Sequence, residues 1–163
     1  MPACNIFDDA PTVRRDSTAT RQAVWDVIAD GWTYSQWVVG NSRMRAVDAN
    51  WPAAGSRIQH SIGVWPFLVD DVTEVLECRV LEELVLLAKA RPFGRARISL
   101  RLSDTPGGGC RIAMAEEAVG APMGWIPNQL TMAAVIPRNR ECVWRLSAIA
   151  ERRTTTGDKA ASG

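Results

Sequence analysis

A single histidine, His60, limits the chemistry that this chain of 163 residues can support. A serine or cysteine nucleophile needs a histidine beside it as base, and no Gly-x-Ser-x-Gly turn is present to hold a serine for that purpose. The four cysteines, Cys4, Cys78, Cys110 and Cys142, are far apart and form no Cys-x-x-Cys pair. This spacing argues against a structural zinc or a disulfide framework and favours reduced thiols in a cytoplasmic protein. We therefore expect neither a metal nor any other cofactor.

His60 and Glu116 are polar residues that the strand pattern turns toward the core. In the stretch SRIQHSI, His60 is in phase with Ile58 and Ile62, and alternate residues of a strand lie on the same face. Glu116 is in phase with the apolar positions of CRIAMAEEAV, residues 110–119. A buried polar group without a partner costs roughly 1–3 kcal/mol, so these groups must bond each other, a trapped water or a ligand.

Acid–base chemistry is one use of this inward-facing pair. A desolvated Glu116 would hold its proton more tightly, which suits a general acid, and this makes His60 and Glu116 candidate catalytic residues. A ligand contact and a hydrogen-bonded structural histidine near the rim of a sheet are the other two interpretations of His60.

The elements that must position these residues form a run of strands followed by a long helix. Residues 12–19 predict a strand that leads into a helix ending near Asp30, and residues 34–42 predict a short second helix. Residues 130–153 carry a helical stripe of apolar positions, and TPGGG, residues 105–109, predicts the turn of a hairpin. Six further strands are predicted within residues 44–55, 56–62, 69–77, 83–91, 96–103 and 110–119. This order predicts an α+β fold in which the terminal helix covers an antiparallel sheet.

Composition excludes several classes of function. The net charge of +1 gives no field that favours nucleic acid or an acidic membrane. No run of about 18 apolar residues is present that could span a membrane. The opening residues, MPACNIFDDA, lack the pattern of a secretory signal, and the length suits one domain.

Aromatic and small residues suggest where a cavity could lie. Seven tryptophans stand against one tyrosine and three phenylalanines, a bias typical either of an aromatic-lined cavity or of a core built with tryptophan. Residues 120–130 place Met123 and Trp125 among prolines and glycines, which predicts a flap that packs on something. Ala88 and Ala90 end a strand face that tapers from leucine to small residues, and such a taper lets a helix approach closely or leaves space.

Most of the chain resembles the START-like superfamily, also called SRPBCC, in its polyketide cyclase/dehydrase branch. The likeness spans about residues 10–152 and is carried by AVWDVIADGWTYSQWVVG (23–40), WPAAGSRIQHSIG (51–63), DDVTEVLE (70–77), LVLLAKARPFGRARISLRL (84–102), GGGCRIAMAEE (109–117) and RNRECVWRLSAIAE (138–151). It implies the helix-grip fold, with the order β-α-α-β6-α and a curved antiparallel sheet around a long C-terminal helix. Residues 1–152 would then be one ligand-binding domain and residues 153–163 a polar, disordered tail.

The resemblance also implies an apolar cavity between the sheet and the terminal helix. Members of the superfamily bind lipids, sterols or polyketides there, and some catalyse cyclisation or dehydration. We expect a monomer or homodimer that binds a small hydrophobic, lipid- or polyketide-like molecule, without nucleic acid and without integral membrane contact. The alternatives are a polyketide cyclase or dehydratase that uses His60 and Glu116, with Arg91 as a further pocket residue, and a protein-interaction module. The predicted cavity lining consists of Trp32, Trp37, His60, Trp65, Ala88, Ala90, Leu100, Met114, Glu116, Met123, Trp125 and Leu146.

Overall fold

A seven-stranded antiparallel sheet and one long helix dominate the computed structural model, which describes residues 6–89, 94–120 and 128–161. The strands are β1 Thr12–Ser17, β2 Asn41–Val47, β3 Arg57–Val64, β4 Phe67–Arg79, β5 Glu83–Ala88, β6 Arg95–Asp104 and β7 Cys110–Val119. The helices are α1 Ile6–Asp9, α2 Arg21–Ala29, α3 Tyr34–Trp37 and α4 Asn128–Ala161, with a 3-10 turn at Gly31–Thr33. Apart from the short α1, this is the predicted order β-α-α-β6-α, and the predicted fold class is confirmed.

Strands β2 to β7 lie side by side in the order in which they occur along the chain, and β1 is added at the edge next to β7. The strands of the sheet lie in the order β1-β7-β6-β5-β4-β3-β2, so the first strand pairs with the last and β2 forms the opposite edge. The pairing of β2 with β3 shifts at two points, and that of β4 with β5 shifts between Val75 and Glu77. Bulges of this kind bend a sheet, and the curved sheet packs against α4.

The predicted hairpin around residues 105–109 is confirmed. β6 and β7 pair without interruption from Arg95 opposite Val119 to Asp104 opposite Cys110. The turn is closed by the Gly108 amide, which donates to the Thr105 carbonyl at 3.0 Å. Gly108 has φ +80°, a left-handed conformation that glycine adopts without steric penalty.

The helix after β1 has Thr20 as its N-cap residue. The Thr20 hydroxyl accepts a hydrogen bond from the Ala23 amide at 3.2 Å, which satisfies a free N–H of the first turn of α2. One face of α2 is apolar and buried, with Val24, Trp25 and Ile28. α2 therefore packs its apolar face into the core between the helices and the sheet.

The terminal helix α4 is attached to the sheet by packing and by one acidic side chain. Cys142, Leu146 and Ala150 on one face of α4 are completely buried. On the next turn Glu151 accepts hydrogen bonds through Oε1 from the Ser17 hydroxyl and the Thr18 amide, both at 2.9 Å. These bonds fix α4 to the end of β1.

The length of α4 differs from the prediction. The helix continues through Ala161, so most of the segment 153–163 that was expected to be a disordered tail is helical. In this extension the hydroxyls of Thr154–Thr156 each donate to the carbonyl four residues earlier at 2.9–3.0 Å, which satisfies the hydroxyls within the helix but does not itself favour the helix. Pro137 lies inside the helix. None of the helices in the described ranges combines the length and the apolar character needed to cross a membrane.

Candidate functional site

A cavity of about 570 Å³ lies between the sheet and the α3–α4 side of the fold. Ten of its lining residues are apolar or glycine: Val38, Val39, Gly40, Ile62, Gly63, Phe67, Val69, Ala88, Ala96 and Ile98. Six carry a polar group: Tyr34, Asn41, His60, Asp71, Glu116 and Arg138. An apolar hollow of this size with a few polar groups is typical of small-molecule sites, which measure roughly 300–1,000 Å³.

Small side chains make the room for this cavity. Ala96 on β6 is paired with Ala88 on β5 and with Ala118 on β7, so three alanines lie side by side across the sheet. Further along the same face of β6, Ile98, Leu100 and Leu102 are buried. The taper that the sequence predicted on β5 thus continues across β6, and the hollow lies at the small-residue end.

His60 is placed at the cavity by the alternation of β3. It lies between Met44 on β2 and Asp71 on β4, and its side chain is only 3% exposed, which confirms the predicted inward orientation. His60 Nε2 is 2.9 Å from the Thr73 hydroxyl oxygen, and the Tyr34 hydroxyl is 3.3 Å from that same oxygen. Thr73 therefore bridges the imidazole and the phenol in one buried hydrogen-bonded chain.

The other nitrogen of His60 is unsatisfied. Nδ1 is buried and has no hydrogen-bond partner among the residues that the structure describes. The amide oxygen Oδ1 of Asn41, another lining residue, is in the same condition, while Asn41 Nδ2 contacts the Met44 sulfur at 3.7 Å. Asn41 and His60 both line the cavity, from the paired strands β2 and β3.

Burial sets the protonation of this cluster. Desolvation, aided by the positive charge of Arg45, lowers the pKa of His60 to about 4, so the imidazole is neutral at pH 7. Desolvation likewise raises the pKa of Tyr34 to about 12 and keeps the phenol protonated. Asp71 Oδ2 lies 3.9 Å from His60 Nε2, beyond hydrogen-bonding distance. A neutral imidazole can offer a ligand either a donor or an acceptor.

Glu116 pairs with a residue of α4 and not with His60. Its Oε2 accepts a hydrogen bond from Arg138 Nη2 at 2.8 Å, and the Glu116 side chain is 6% exposed. The structure thus pairs Glu116 with Arg138, whereas the sequence analysis considered it together with His60 as an acid–base pair. The catalytic role of the two residues stays a prediction.

The remaining predicted lining residues divide into three groups. Trp37, Leu100, Met114 and Leu146 are almost completely buried, but their side chains fill the core beside the cavity and are not part of its wall. Trp32 and Trp65 lie in turns and are 57% and 81% exposed. Ala90, Arg91, Met123 and Trp125 lie outside the described residues, so their predicted contribution stays a prediction. His60, Ala88 and Glu116 are the predicted residues that line the cavity.

The sequence analysis did not predict several of the residues that line the cavity. For some of them the alternation of residues in the sequence could have done so. In VDDVTEV, Val69, Asp71, Thr73 and Val75 are in phase, and this alternation could have shown that β4 carries polar groups on its inner face. No comparable signal marks Arg138, since a helix pattern does not tell which flank residue reaches over the sheet.

Thiol and metal chemistry have little support among the described side chains. Cys78, Cys110 and Cys142 are free, and burial raises the pKa of the Cys142 thiol, whose sulfur accepts from the Val39 amide at 3.3 Å. Within the described ranges no three His, Cys, Asp or Glu side chains are grouped as metal ligands would be. The expectations of no metal and no cofactor stay predictions.

Solved structures with very different sequences share this architecture. A protein from Nitrosomonas europaea matches with a TM-score of 0.68 at 15% identity, over 88% of this chain and 95% of that chain. The allergen Ara h 8.0201 matches with a TM-score of 0.63 at 9% identity, over 86% of this chain and 96% of its own. The chain has the START-like helix-grip fold.

Another START-like structure is StfQ, a di-domain aromatase/cyclase from the steffimycin biosynthetic pathway. It matches with a TM-score of 0.70 at 8% identity, and the match covers 88% of this chain but 51% of StfQ, so the chain spans about half of that protein. At identities this low, the structural matches show a common fold. They do not determine the reaction or the ligand. No protein-family model matches the sequence. A search of curated proteins also finds no match.

Proposed function

We propose that the protein binds a small hydrophobic molecule, lipid- or polyketide-like in character, in the cavity between the sheet and α4. The observation that carries this proposal is the hollow of about 570 Å³ with ten apolar or glycine lining residues. The START-like fold supports it, because proteins of this fold include ligand binders and a polyketide cyclase. A cytoplasmic location and a monomeric or dimeric state stay predictions from the sequence.

The ligand should carry at least one group that forms hydrogen bonds. His60 Nδ1 and Asn41 Oδ1 are buried without partners, and an unsatisfied buried polar atom costs about 1–3 kcal/mol. A ligand hydroxyl can donate to Asn41 Oδ1 or bond His60 Nδ1, and a ligand carbonyl can accept from His60 Nδ1–H, whereas a pure hydrocarbon can do neither. We therefore expect a molecule with an apolar body and a polar end oriented toward His60.

An enzymatic role is the second candidate, and one observation favours it. The Tyr34–Thr73–His60 chain ends at the cavity wall, and the neutral His60 imidazole could accept a proton from a bound molecule. Glu116 would then act as a fixed charge beside Arg138 and not as the proton donor. Native mass spectrometry of freshly purified protein can identify a bound molecule. Conversion of that molecule by the wild type, lost in His60→Gln, would favour catalysis over simple binding.

The binding proposal is tested by filling the cavity. Ala96 is buried in its wall, so Ala96→Leu would extend a branched side chain into the space. The matched control is Ala54→Leu, since Ala54 is exposed in the connection between β2 and β3. The readout is the affinity for the neutral fluorescent probe N-phenyl-1-naphthylamine in buffer without lipid.

We expect Ala96→Leu to weaken probe binding by about tenfold or more, which corresponds to about 1.4 kcal/mol, and Ala54→Leu to leave it unchanged. Thermal melts of both variants verify that they are folded. Equal affinity in wild type and folded Ala96→Leu, or no binding by the wild type, would overturn the proposal.

A further inference from the structure

The hairpin between β3 and β4 carries an unusual concentration of exposed apolar side chains. Val64, Trp65 and Phe67 are 80%, 81% and 84% exposed, and Leu68 and Val69 follow at 41% and 36%. These are five of the nine large hydrophobic side chains that the described part of the chain exposes. From residue 62 to residue 69 no side chain is charged, and the tryptophan ring N–H is the only polar side-chain group.

We name this exposed end the hairpin tip (residues 64–67). It projects beyond the start of β2, the strand that pairs with β3. The Gly63 amide donates to the Gly40 carbonyl at 3.1 Å, next to the start of β2. Beyond it come one residue pair, Val64 opposite Phe67, and the turn. Two residues of extended chain correspond to roughly 7 Å, which matches the depth of about 5–10 Å to which interfacial segments enter a bilayer.

The hairpin tip also stands at the opening of the cavity. Ile62, Gly63 and Val69, at the base of the tip, and Phe67, in it, all line the cavity. Phe67 is at the same time one of the most exposed side chains, so the cavity wall meets solvent at this residue. Gly63 is required for this geometry, because at φ +107° any side chain there would collide with the Phe67 carbonyl oxygen.

The charges around the base of the tip suit an anionic surface. Arg43 on β2 is exposed and lies opposite Ser61. Arg45 is also exposed and bonds Asp70 Oδ2 at 3.0 Å, while Asp70 in turn accepts from the Ser61 hydroxyl. The second carboxylate of this region, Asp71, is buried opposite His60. At the surface, two arginines therefore stand against one exposed carboxylate, Asp70, behind an apolar, tryptophan-containing tip. Tryptophan is enriched where proteins meet the bilayer interface, and arginine near the surface attracts anionic headgroups.

We propose that the hairpin tip inserts into the interface of an anionic lipid bilayer, so that the cavity opening faces the membrane. An apolar ligand could then pass between bilayer and cavity with little exposure to water. This passage depends on the ligand-binding function proposed above, whereas the docking itself does not. A bilayer fits the tip better than a protein partner, because a narrow convex apolar tip needs no matching pocket in a fluid interface.

Docking is tested by sedimentation with vesicles made of equal parts phosphatidylcholine and phosphatidylglycerol. The test variant is Val64→Ser/Trp65→Ser, since neither residue lines the cavity and both are exposed. The control is Trp32→Ser, which removes a tryptophan that is 57% exposed in the turn before α3. We expect the wild type and the control to bind, and the tip variant to lose at least about tenfold in partitioning. Arg43→Ser should lose about fivefold on these vesicles.

Three results would overturn the docking proposal: no vesicle binding by the wild type, equal binding by the tip variant, or a tip-dependent dimer that does not bind vesicles. Binding of N-phenyl-1-naphthylamine in lipid-free buffer separates this test from that of the proposed function. A tip variant that keeps probe affinity but loses vesicles supports docking alone. A wild type that binds vesicles but no probe would contradict the cavity proposal and leave docking supported.

Discussion

Arg138 on α4 and Glu116 on β7 form an ion pair that joins the terminal helix to the sheet at the cavity wall. Arg138 Nη2 lies 2.8 Å from Glu116 Oε2, and the carboxylate side chain is 6% exposed while the arginine is 35% exposed. Because one partner is buried, the loss of the other leaves a charge that water cannot fully solvate. This pair should therefore contribute more to the free energy of unfolding than the exposed ion pairs of the same sheet.

We predict that Arg138→Met lowers the free energy of unfolding by roughly 1–3 kcal/mol, since it leaves Glu116 buried without its cation. Adding Glu116→Gln to this variant should restore part of the loss, because the uncompensated charge is then gone. Urea unfolding of the two single variants and the double variant measures the coupling. As a control, Arg111→Met breaks an exposed pair with Asp16 and should cost less than Arg138→Met, because water solvates the carboxylate that is left behind. Equal costs for both arginines would show that Glu116 is not buried as described.

A second prediction concerns the titration of His60. Its pKa is lowered to about 4 by burial and by Arg45, compared with 6.5 for an ordinary histidine. The unfolded chain therefore takes up the proton first as the pH falls. The contribution of the neutral His60 to the free energy of unfolding is fully present above pH 6.5. It is lost as the pH falls toward about 4, by an amount on the order of 3 kcal/mol. His60→Gln removes this contribution, so the difference between the two stability profiles isolates it from the carboxyl groups.

The titration can also be observed directly by NMR. His60 is the only histidine in the sequence, so an untagged protein gives a single imidazole Cε1–H resonance. We expect its midpoint near pH 4. A midpoint near that of a free histidine would mean that the imidazole is in contact with water, and the description of the cavity wall would then be wrong.

The third prediction concerns Thr73, which is completely buried between Tyr34 and His60. Thr73→Val keeps the shape of the side chain but leaves the phenol and His60 Nε2 without a partner. We expect a loss of about 2 kcal/mol in the free energy of unfolding. Tyr34→Phe should cost less in the Thr73→Val background than in the wild type, because its hydroxyl then has no bond to lose. Fully additive costs would contradict the hydrogen-bonded chain.

The fourth prediction concerns Glu151, which fixes α4 to β1. Burial raises the pKa of this carboxyl, but hydrogen bonds from the Thr18 amide and from the Ser17 and Ser147 hydroxyls outweigh it, and the net pKa is lowered. Its stabilising effect is therefore present above the ordinary glutamate range and is lost as the pH falls through the lowered pKa. Glu151→Ala should cost roughly 2 kcal/mol at pH 7. The exposed Glu77→Ala is the control and should change stability by less than about 0.5 kcal/mol.

The order of elements could be predicted because each depends on local periodicity. The alternation of Ile58, His60 and Ile62 predicted the inner face of β3 without knowledge of its neighbours. The same argument placed Glu116 inward, and the glycines of residues 105–109 predicted the β6–β7 hairpin. The resemblance to START-like proteins added what periodicity does not contain, namely that the sheet curves around the last helix and that a cavity lies between them.

The cavity lining could be predicted only in part, because it depends on how distant elements meet. Trp65 lies at the end of a hairpin, and its exposure follows from how far that hairpin extends past β2. Trp37 was predicted to line the cavity, yet it packs edge-on against the Tyr34 ring with centroids 5.3 Å apart, within the core. Arg138 reaches Glu116 only because of the rotation of α4 over the sheet. A sequence pattern determines neither the reach of a hairpin nor the rotation of a helix.

The central claim is that an apolar ligand occupies the hollow between the sheet and α4. NMR measures this most directly, through intermolecular NOEs between N-phenyl-1-naphthylamine and methyl groups of the protein. We predict NOEs to Val38, Ile62 and Ile98, whose side chains line the cavity. NOEs confined to exposed methyl groups such as those of Val64 and Val80, or none at a saturating probe concentration, would contradict the claim.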